Sequence, residues 1–183
     1  MNPWHQLILQ QRRWRLRGLG VALGGNCAVG AGVVVQRSAG QIVIGADCSL
    51  ETGVVLAAYG GRIELARWVH VGPYTTISGH GGVVIGEGTL IAMHCRIISS
   101  NHTVAPFAVP IRSQPDILLP TMIGRDVWLG AGVTVLGGVR IGDGCVVGAG
   151  SVVTKNLPAG SISHGIPAAV RGWRDNSPPS EAH

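Results

Sequence analysis

Residues 123–155 have the sequence IGRDVWLGAGVTVLGGVRIGDGCVVGAGSVVTK, in which an aliphatic residue occupies every sixth position. The six aliphatic positions are Ile123, Leu129, Val135, Ile141, Val147 and Val153. Side chains alternate across a β-strand with period two, so residues six apart point the same way. The spacing therefore predicts short strands that all turn an aliphatic residue toward one interior.

The same spacing continues toward the N-terminus in groups of three. The further positions are Leu23, Val29 and Val35; Ile44, Leu50 and Leu56; Leu65, Val71 and Ile77; and Ile85, Ile91 and Ile97. Extra residues fall only between groups, and the largest step, from Ile97 to Ile123, is 26 residues. Three strands joined by tight turns make one triangular coil, and stacked coils pair as parallel strands. The pattern predicts an all-β parallel helix of about six triangular coils, with insertions at one corner.

The composition agrees with an interior of small aliphatic rungs. Hydrophobic residues make up 46% of the chain, but aromatic residues only 4%, and there are 29 glycines. The four cysteines, Cys27, Cys48, Cys95 and Cys145, each stand two residues before an inward aliphatic position. Period two turns their thiols inward as well, where a free cysteine behaves as a small hydrophobe. No CxxC pair exists, which argues against a zinc-ribbon or redox motif.

A basic segment precedes the repeat. Its charges are Arg12, Arg13, Arg15 and Arg17, and they contribute to a net charge of +5. With Trp4, Leu7 and Ile8 on one side, the segment is predicted to form a short amphipathic helix that caps the domain. Contact with a membrane surface or a nucleic acid is the alternative interpretation of such a basic helix.

No targeting or membrane segment is expected. The apolar run Leu7-Ile8-Leu9 is short for a signal peptide, and the positive charges follow it rather than precede it. No stretch approaches the roughly 20 apolar residues of a membrane span. The sequence predicts a cytoplasmic protein without a transmembrane segment.

The longest interruption of the repeat, residues 98–122, is the first place to expect function, because long loops on regular scaffolds are usually functional. It begins Ile98-Ser-Ser-Asn-His102 and continues through several prolines.

The motifs on both sides of this loop resemble those of the hexapeptide-repeat acetyltransferases. They are Ser99-Ser-Asn-His102, the block Val127-Trp-Leu-Gly-Ala-Gly132, the run Val147-Gly-Ala-Gly-Ser-Val-Val-Thr-Lys155 and the ending Gly165-Ile-Pro-Ala-Ala-Val-Arg171. The most similar branch is that of the maltose, galactoside and surface-polysaccharide O-acetyltransferases. The resemblance implies a left-handed β-helix, acetyl-CoA as the acetyl donor, and a homotrimer with active sites between subunits. It divides the chain into an N-terminal amphipathic helix (1–20), a left-handed β-helix (21–160) with the active-site loop 98–122, and a C-terminal segment and tail (161–183).

The resemblance also assigns roles to individual residues. His102 matches the catalytic base, which would take the proton of an attacking hydroxyl. Ala131 matches the position whose main-chain N–H faces the acetyl carbonyl. Trp128 and Asn101 match positions beside the acceptor. The acceptor pocket of the maltose and galactoside enzymes has asparagine where this chain has Tyr74, so the role of Tyr74 is left open.

Further matches concern the donor. Ala149 matches a residue whose main chain meets the pantetheine arm of acetyl-CoA. Thr154, Lys155 and Arg171 match positions near its nucleotide end, where phosphates favour cations and hydrogen-bond donors. His80 and His94 are expected near the same cleft, without an assigned role.

The predicted function is transfer of an acetyl group from acetyl-CoA to a hydroxyl of a sugar or polysaccharide precursor. N-acetylation of an amino sugar remains an alternative, as does a non-catalytic β-helix scaffold. The histidines lack the H-x4-H spacing of β-helix carbonic anhydrases, so no metal site is expected. No nucleic-acid partner is expected either. The composition of residues 175–183, which include Ser177-Pro-Pro-Ser180, predicts a disordered tail.

Overall fold

A computed structural model describes residues 3–104 and 106–175, in which short strands wind around a three-sided solenoid. The first twelve strands are β1 (Ala22–Leu23), β2 (Ala28–Val29), β3 (Val34–Gln36), β4 (Gln41–Ile44), β5 (Ser49–Leu50), β6 (Val55–Ala57), β7 (Arg62–Leu65), β8 (His70–Val71), β9 (Thr76–Ser78), β10 (Val83–Ile85), β11 (Leu90–Ile91) and β12 (Arg96–Ile97). The others are β13 (Ser100–His102), β14 (Asp116–Leu118), β15 (Thr121–Ile123), β16 (Trp128–Leu129), β17 (Thr134–Val135), β18 (Arg140–Ile141), β19 (Val146–Val147), β20 (Val152–Val153), β21 (Ser161–Gly165) and β22 (Ala168–Trp173). One α-helix, α1 (Pro3–Gly18), precedes them, and a short 3-10 helix, η1 (Ile111–Ser113), lies between β13 and β14.

Three sheets form the sides of the solenoid. Sheet 1 has the order β1-β4-β7-β10-β15-β18, sheet 2 the order β2-β5-β8-β11-β16-β19-β21-β22, and sheet 3 the order β3-β6-β9-β12-β17-β20. The chain visits sheets 1, 2 and 3 in turn, six times. We call the turn from sheet 1 to sheet 2 the first corner, that from sheet 2 to sheet 3 the second corner, and that from sheet 3 back to sheet 1 the third corner. The left-handed winding that the resemblance implies is consistent with this architecture.

The predicted register of the rungs is confirmed. In sheet 1, Leu23 pairs with Ile44, Ile44 with Leu65, and Ile85 with Ile123. The corresponding aliphatic positions of the other two sheets stack in the same manner. Almost all of these aliphatic side chains are fully buried. Leu23 and Val35 of the first coil are partly exposed. The six-residue spacing therefore fixes which side chain enters the interior on every coil.

The cysteines lie inside, as their spacing predicts, and each is at most 2% exposed. They stand at corners, where their sulfurs approach carbonyl groups of the next coil. Cys27 Sγ lies 3.1 Å from the Gly45 oxygen, and Cys48 Sγ lies 3.0 Å from the Ala66 oxygen. Thr75 at the second corner does the same through Oγ1, which donates to the Ala92 oxygen at 2.9 Å. Small side chains with a donor thus join successive turns where the ladder of strands is interrupted.

The insertions fall at the third corner, as predicted. The largest leaves the solenoid after β12 and returns at β15, and β13 and β14 pair within it as a small antiparallel sheet. The tip of this excursion is apolar and exposed: the side chain of Val104 is 82% exposed, and that of Phe107 is fully exposed.

The two ends of the solenoid are covered differently. Helix α1 lies against β1 and β2, buries Leu16 and donates a hydrogen bond from Arg12 to the Val29 carbonyl oxygen at 3.2 Å. Leu7 and Ile8 of the predicted apolar side remain 47% and 43% exposed, and the Trp4 side chain lies outside the described part of the chain. At the other end, β22 pairs antiparallel with β21. The predicted tail lies outside the described residues from 176 onward.

Across residues 3–104 and 106–175, no helix has both the length and the apolar character to cross a membrane.

Candidate active site

The predicted base, His102, is held by a carboxylate. It ends β13, and the antiparallel register of β13 and β14 places it directly opposite Asp116. The His102 Nδ1 atom lies 2.6 Å from Asp116 Oδ1, while 70% of the His102 side chain is exposed. When Nδ1–H donates to the carboxylate, the lone pair of Nε2 is free to accept a proton. The arrangement therefore orients an accessible imidazole in the tautomer that a general base requires.

Asp116 also reaches a second imidazole. His80 Nδ1 lies 3.1 Å from Asp116 Oδ2, so one carboxylate joins the 79–82 turn to the excursion. The Tyr59 ring stands edge-on to His80, with ring centroids 6.4 Å apart. The sequence placed His80 near the cleft but gave no role to Asp116. Asp116 lies outside the hexapeptide repeat. The sequence indicates only that it belongs to the part of the 98–122 loop that leads back to the solenoid.

A cavity of about 550 Å³ opens beside this pair, lined by His102, Asp116, Ile111, Arg112 and Gln114. Asn101, predicted beside the acceptor, does not line this cavity, and its Oδ1 accepts the main-chain N–H of His102 at 2.9 Å. Asn101 therefore shapes the turn of the strand that carries the histidine.

The second corner brings four of the remaining site residues into one column. Tyr74, His94, Ala131 and Ala149 stand at this turn in four successive coils. Neighbouring strands are about 4.8 Å apart, so the column from Tyr74 to Ala149 is about 14 Å long. Residues separated by up to 75 positions in sequence thus lie along one edge of the solenoid.

Tyr74 and His94 stack on each other at this corner. Their ring centroids are 5.4 Å apart and the rings are 12° from parallel. Both residues have left-handed backbone conformations, with φ of 57° and 58°, where the same turn position in other coils is Gly32, Gly53 and Gly132. A β-carbon on Gly53 would stand 2.5 Å from the Tyr74 ring, so glycine makes room for the tyrosine. Such conformations cost free energy for residues with side chains and are concentrated at functional sites.

The main-chain N–H groups of Ala131 and Ala149 are available to a ligand. Within the described residues, neither group donates a hydrogen bond, although the N–H groups of the next residues do: Gly132 to the Met93 oxygen and Gly150 to the Ala131 oxygen. Both alanines lie in turns rather than inside strands, and Ala149 is exposed while Ala131 is partly buried. This is the feature that the predicted roles of Ala131 and Ala149 require.

Trp128 lies on the outer face of sheet 2, in the same coil as Ala131, and is 50% exposed. Its register neighbours are Leu90 and Val146, so it stands in an apolar strip of the sheet surface. An exposed indole in this place can contact a ligand bound at the second corner.

The residues expected near the nucleotide end of the donor lie farther apart. Thr154 and Lys155 follow β20 at the third corner, and Arg171 lies in β22 at the end of sheet 2. All three side chains are exposed. No side-chain hydrogen bond joins these three residues in the described part of the chain.

His102 and Ala131 do not meet within one chain. His102 belongs to the third corner and Ala131 to the second, and sheet 3 separates these two edges. They do lie at similar heights along the solenoid, because the excursion leaves between the fourth and fifth coils and Ala131 belongs to the fifth. Within one chain, the predicted base and the predicted main-chain donor therefore stand on different edges of the solenoid.

Other reactive groups are unsuited to chemistry at these corners. The cysteines are buried, and burial raises the pKa of the Cys95 thiol, which disfavours the nucleophilic thiolate. The described residues contain no group of three or more His, Cys, Asp or Glu side chains arranged to hold a metal ion.

Repeat and winding together define the class of protein, a hexapeptide-repeat β-solenoid. The family model for the six repeats of the bacterial transferase hexapeptide matches residues 120–155, and that for the hexapeptide repeat of succinyl-transferase matches residues 18–37.

The relatives of this chain are acetyltransferases. A probable acetyltransferase of Mycobacterium tuberculosis is 36% identical over 59% of this chain and 43% of its own length. The galactoside O-acetyltransferase of Escherichia coli is 34% identical over 59% of this chain and 52% of its own length. The chain thus spans about half the length of these curated relatives. An N-acyltransferase from Bacillus cereus, crystallised with dTDP and coenzyme A, shares the fold with a TM-score of 0.76, at 19% identity over 88% of each chain.

The repeat and the solenoid make the chain similar to the hexapeptide-repeat acetyltransferases among these relatives.

Proposed function

We propose that this protein transfers an acetyl group from acetyl-CoA to a hydroxyl of a sugar or polysaccharide precursor. The observation that carries the proposal is the exposed imidazole of His102, bound through Nδ1 to Asp116 at 2.6 Å. We place the reaction in the cytoplasm, where acetyl-CoA is available, and in polysaccharide biosynthesis. The acting species is a homotrimer with a site between each pair of subunits.

His102 performs the proton transfers. Its Nε2 takes the proton of the acceptor hydroxyl as the oxygen attacks the thioester carbonyl carbon. The resulting imidazolium is stabilised by the Asp116 carboxylate. When the tetrahedral intermediate collapses, the C–S bond breaks and the proton passes from Nε2 to the departing CoA thiolate. The acetyl ester and free CoA account for all atoms, and no acyl-enzyme is needed.

Ala131 stabilises the intermediate. The carbonyl oxygen gains negative charge during attack, and a main-chain N–H without another acceptor is suited to receive it. Ala149, one coil further, offers a second free N–H to an amide of the pantetheine arm. Thr154, Lys155 and Arg171 would then meet the phosphates and adenine of the nucleotide end.

The acceptor lies at the opposite end of the column. The Tyr74–His94 stack stands one to two coils above Ala131, and Trp128 lies on the outer face of sheet 2 in the coil of Ala131. Flat aromatic surfaces of this kind pack against the C–H faces of sugar rings. Tyr74 supplies a hydroxyl at its rim, and Asn101 contributes by positioning His102.

The separation of His102 and Ala131 on two edges of the solenoid supports the proposed trimer. Rotation about an axis parallel to the solenoid preserves height, so it can bring the third corner of one subunit to the second corner of the next at the same level. The exposed apolar tip of the 98–122 excursion, with Val104 and Phe107, is the kind of surface that a neighbouring subunit covers.

Oxygen is favoured over nitrogen as the acceptor atom because an alcohol needs a base at neutral pH, and the His102–Asp116 pair provides one. The galactoside relative is an O-acetyltransferase by name. N-acetylation of an amino sugar is the alternative, and the Bacillus cereus neighbour is an N-acyltransferase by name. That neighbour supports the fold rather than the acceptor.

Calorimetric titration of acetyl-CoA into the purified protein is the first test, because it needs no known acceptor. We expect saturable binding that weakens at least tenfold in Lys155→Ala and Arg171→Ala and is unchanged in Arg15→Ala, an exposed arginine of α1 at the N-terminal end. Absence of binding by folded protein would contradict the proposal. A panel of sugars and matched amino sugars then decides between O- and N-transfer.

A further inference from the structure

A second groove runs along the first corner, and none of the residues assigned above lines it. It has a volume of about 780 Å³, within the range of small-molecule sites. Its two ends carry tryptophans, Trp68 in the third coil and Trp173 in β22. Between them, the left-handed position of the first-corner turn is occupied in successive coils by Gly88, Asp126, Gly144 and Gly160. Four coil steps of about 4.8 Å give the groove a length of about 19 Å.

Trp68 is an exception in its own column. The first-corner turn position has left-handed φ in every coil, and its other occupants are asparagine, aspartate or glycine, the residues that tolerate this conformation. Trp68 has a φ of 59°, and 66% of its surface is exposed. Its indole lies beside Gly88, with Cε3 3.4 Å from where a β-carbon would stand. Neither local backbone preference nor burial explains a tryptophan here, whereas a ligand that packs against its free face would.

Charged groups in the groove are fixed in pairs. Arg125 binds Asp143 through Nε at 3.1 Å and Nη2 at 3.0 Å, and its main-chain N–H donates to the same carboxylate at 2.8 Å. These bonds hold the pKa of Asp143 below its ordinary value. At the far end, Arg174 Nη1 lies 2.7 Å from Asp126 Oδ2.

A third pair, Arg67 with Glu87 at 3.3 Å, lies at the Trp68 end. Arg67 does not itself line the groove, but its charge offsets that of Glu87. The three pairs therefore cancel, and Asp175 is the one lining carboxylate left over among the described residues. A phosphate-bearing or cationic ligand therefore gains little charge attraction here. The guanidinium N–H groups and carboxylate oxygens nevertheless offer closely spaced donors and acceptors, the combination that hydroxyl groups use.

We propose that the first-corner groove binds a neutral oligosaccharide, with a sugar ring packed on Trp68 and hydroxyls bonded to the Arg125–Asp143 and Arg174–Asp126 pairs. An indole packs on the apolar face of a pyranose, and the elongated groove fits a chain of linked rings better than a single one. The first corner lies opposite sheet 3. If the trimer proposed above is correct, sheet 3 and the edges beside it face the neighbours, and the groove stays open.

The test is calorimetry without acetyl-CoA, using maltopentaose, cellopentaose and chitopentaose as probes. We expect at least one probe to bind, with affinity reduced at least tenfold by Trp68→Asn, a change that suits the left-handed turn and preserves the fold. Trp14→Ala is the matched control, because Trp14 is 62% exposed on α1, outside the groove. It is expected to bind as the native protein does.

Three outcomes would overturn the proposal. One is the absence of binding by all three probes, and another is binding that Trp68→Asn leaves unchanged. The third is binding lost in Tyr74→Ala but retained in Trp68→Asn, which would assign the sugar to the acetyl-transfer site. Binding of acetyl-CoA by the same preparations, measured separately, keeps failure of this proposal distinct from failure of the transferase proposal.

Discussion

At the scale of single residues, the candidate site depends on one carboxylate shared by two imidazoles. Asp116 lies 2.6 Å from His102 and 3.1 Å from His80, on its two separate oxygens. Only His102 is widely exposed, at 70% against 30% for His80. The more exposed ring is therefore placed to act on a substrate, and the other to hold the carboxylate in position.

Replacement of these residues should give graded losses. His102→Ala removes the base and is expected to lower kcat about 10²- to 10⁴-fold. Asp116→Asn keeps the imidazole but weakens its orientation, so a loss of about 10- to 100-fold is expected. Steady-state kinetics with the acceptor found in the sugar panel provide the measurement. Near-native turnover by folded His102→Ala would disprove the mechanism.

The matched control is His94→Gln. His94 stacks on Tyr74 at the second corner, where its loss should raise KM for the acceptor more than it lowers kcat. The dependence of kcat on pH separates the roles further. Only replacement of His102 should abolish the rise of kcat with pH that a general base produces.

At the scale of the element, the unit is a coil whose turns pack directly on the turns above and below. Glycines following the inward aliphatic residues make this possible. A β-carbon on Gly45 would stand 2.6 Å from the main chain of Ala66 and Arg67, and one on Gly86 would stand 2.5 Å from that of Gly124. Main chain cannot move aside as a flexible side chain can. These glycines are therefore required by close approach between coils rather than by their own backbone conformation.

Gly45→Ala should accordingly destabilise the protein by about 1–3 kcal/mol, the usual cost of overpacking. Gly25→Ala is the control, because nothing lies within 4 Å of its added β-carbon and its φ is not left-handed. Denaturant unfolding of the two variants gives the comparison. Equal free energies of unfolding for Gly45→Ala and Gly25→Ala would contradict the prediction. They would show that the main chains of neighbouring coils can move apart to accept a β-carbon at little cost.

At the scale of the whole molecule, the solenoid separates the groups that the proposed reaction needs. His102 stands on the third corner and Ala131 on the second, at similar heights. One rigid chain cannot bring its own edges together across sheet 3. Activity is therefore expected to be a property of the assembly, with each site drawing His102 from one subunit and the Ala131 N–H from another.

Mixed assemblies test this directly. Ala131→Pro deletes the N–H, and the turn tolerates proline, because Pro73 occupies the same turn position two coils earlier. Ala131→Pro and His102→Ala are each expected to be inactive. Mixed trimers refolded from both should regain activity, because some interfaces combine the two intact halves.

The measurement is turnover of the mixture compared with each variant refolded alone, with the mass of the assembly determined by light scattering. No recovery in verified mixed trimers would place both groups in one subunit's site and contradict the intersubunit arrangement. A monomeric mass for the native protein would do the same.

The sequence by itself determined the solenoid and the position of each rung. Alternation of side chains along a strand is a local property, so a six-residue spacing is enough to assign every inward aliphatic residue, the inward cysteines and the corner that receives the insertions. The spacing also predicted that the long excursion would carry His102. Family motifs supplied Ala131, Ala149 and the other site positions, whose roles remain predictions.

Only the tertiary structure decided which distant groups meet. Asp116 reaches His102 because β14 pairs with β13 in one register, and His80 joins them because a neighbouring coil stacks beneath. Trp68 and Trp173 share a groove across more than 100 residues for the same reason. Such contacts depend on how coils and loops pack against one another. The six-residue spacing cannot predict them, because the loop that carries His102 and Asp116 lacks the repeat.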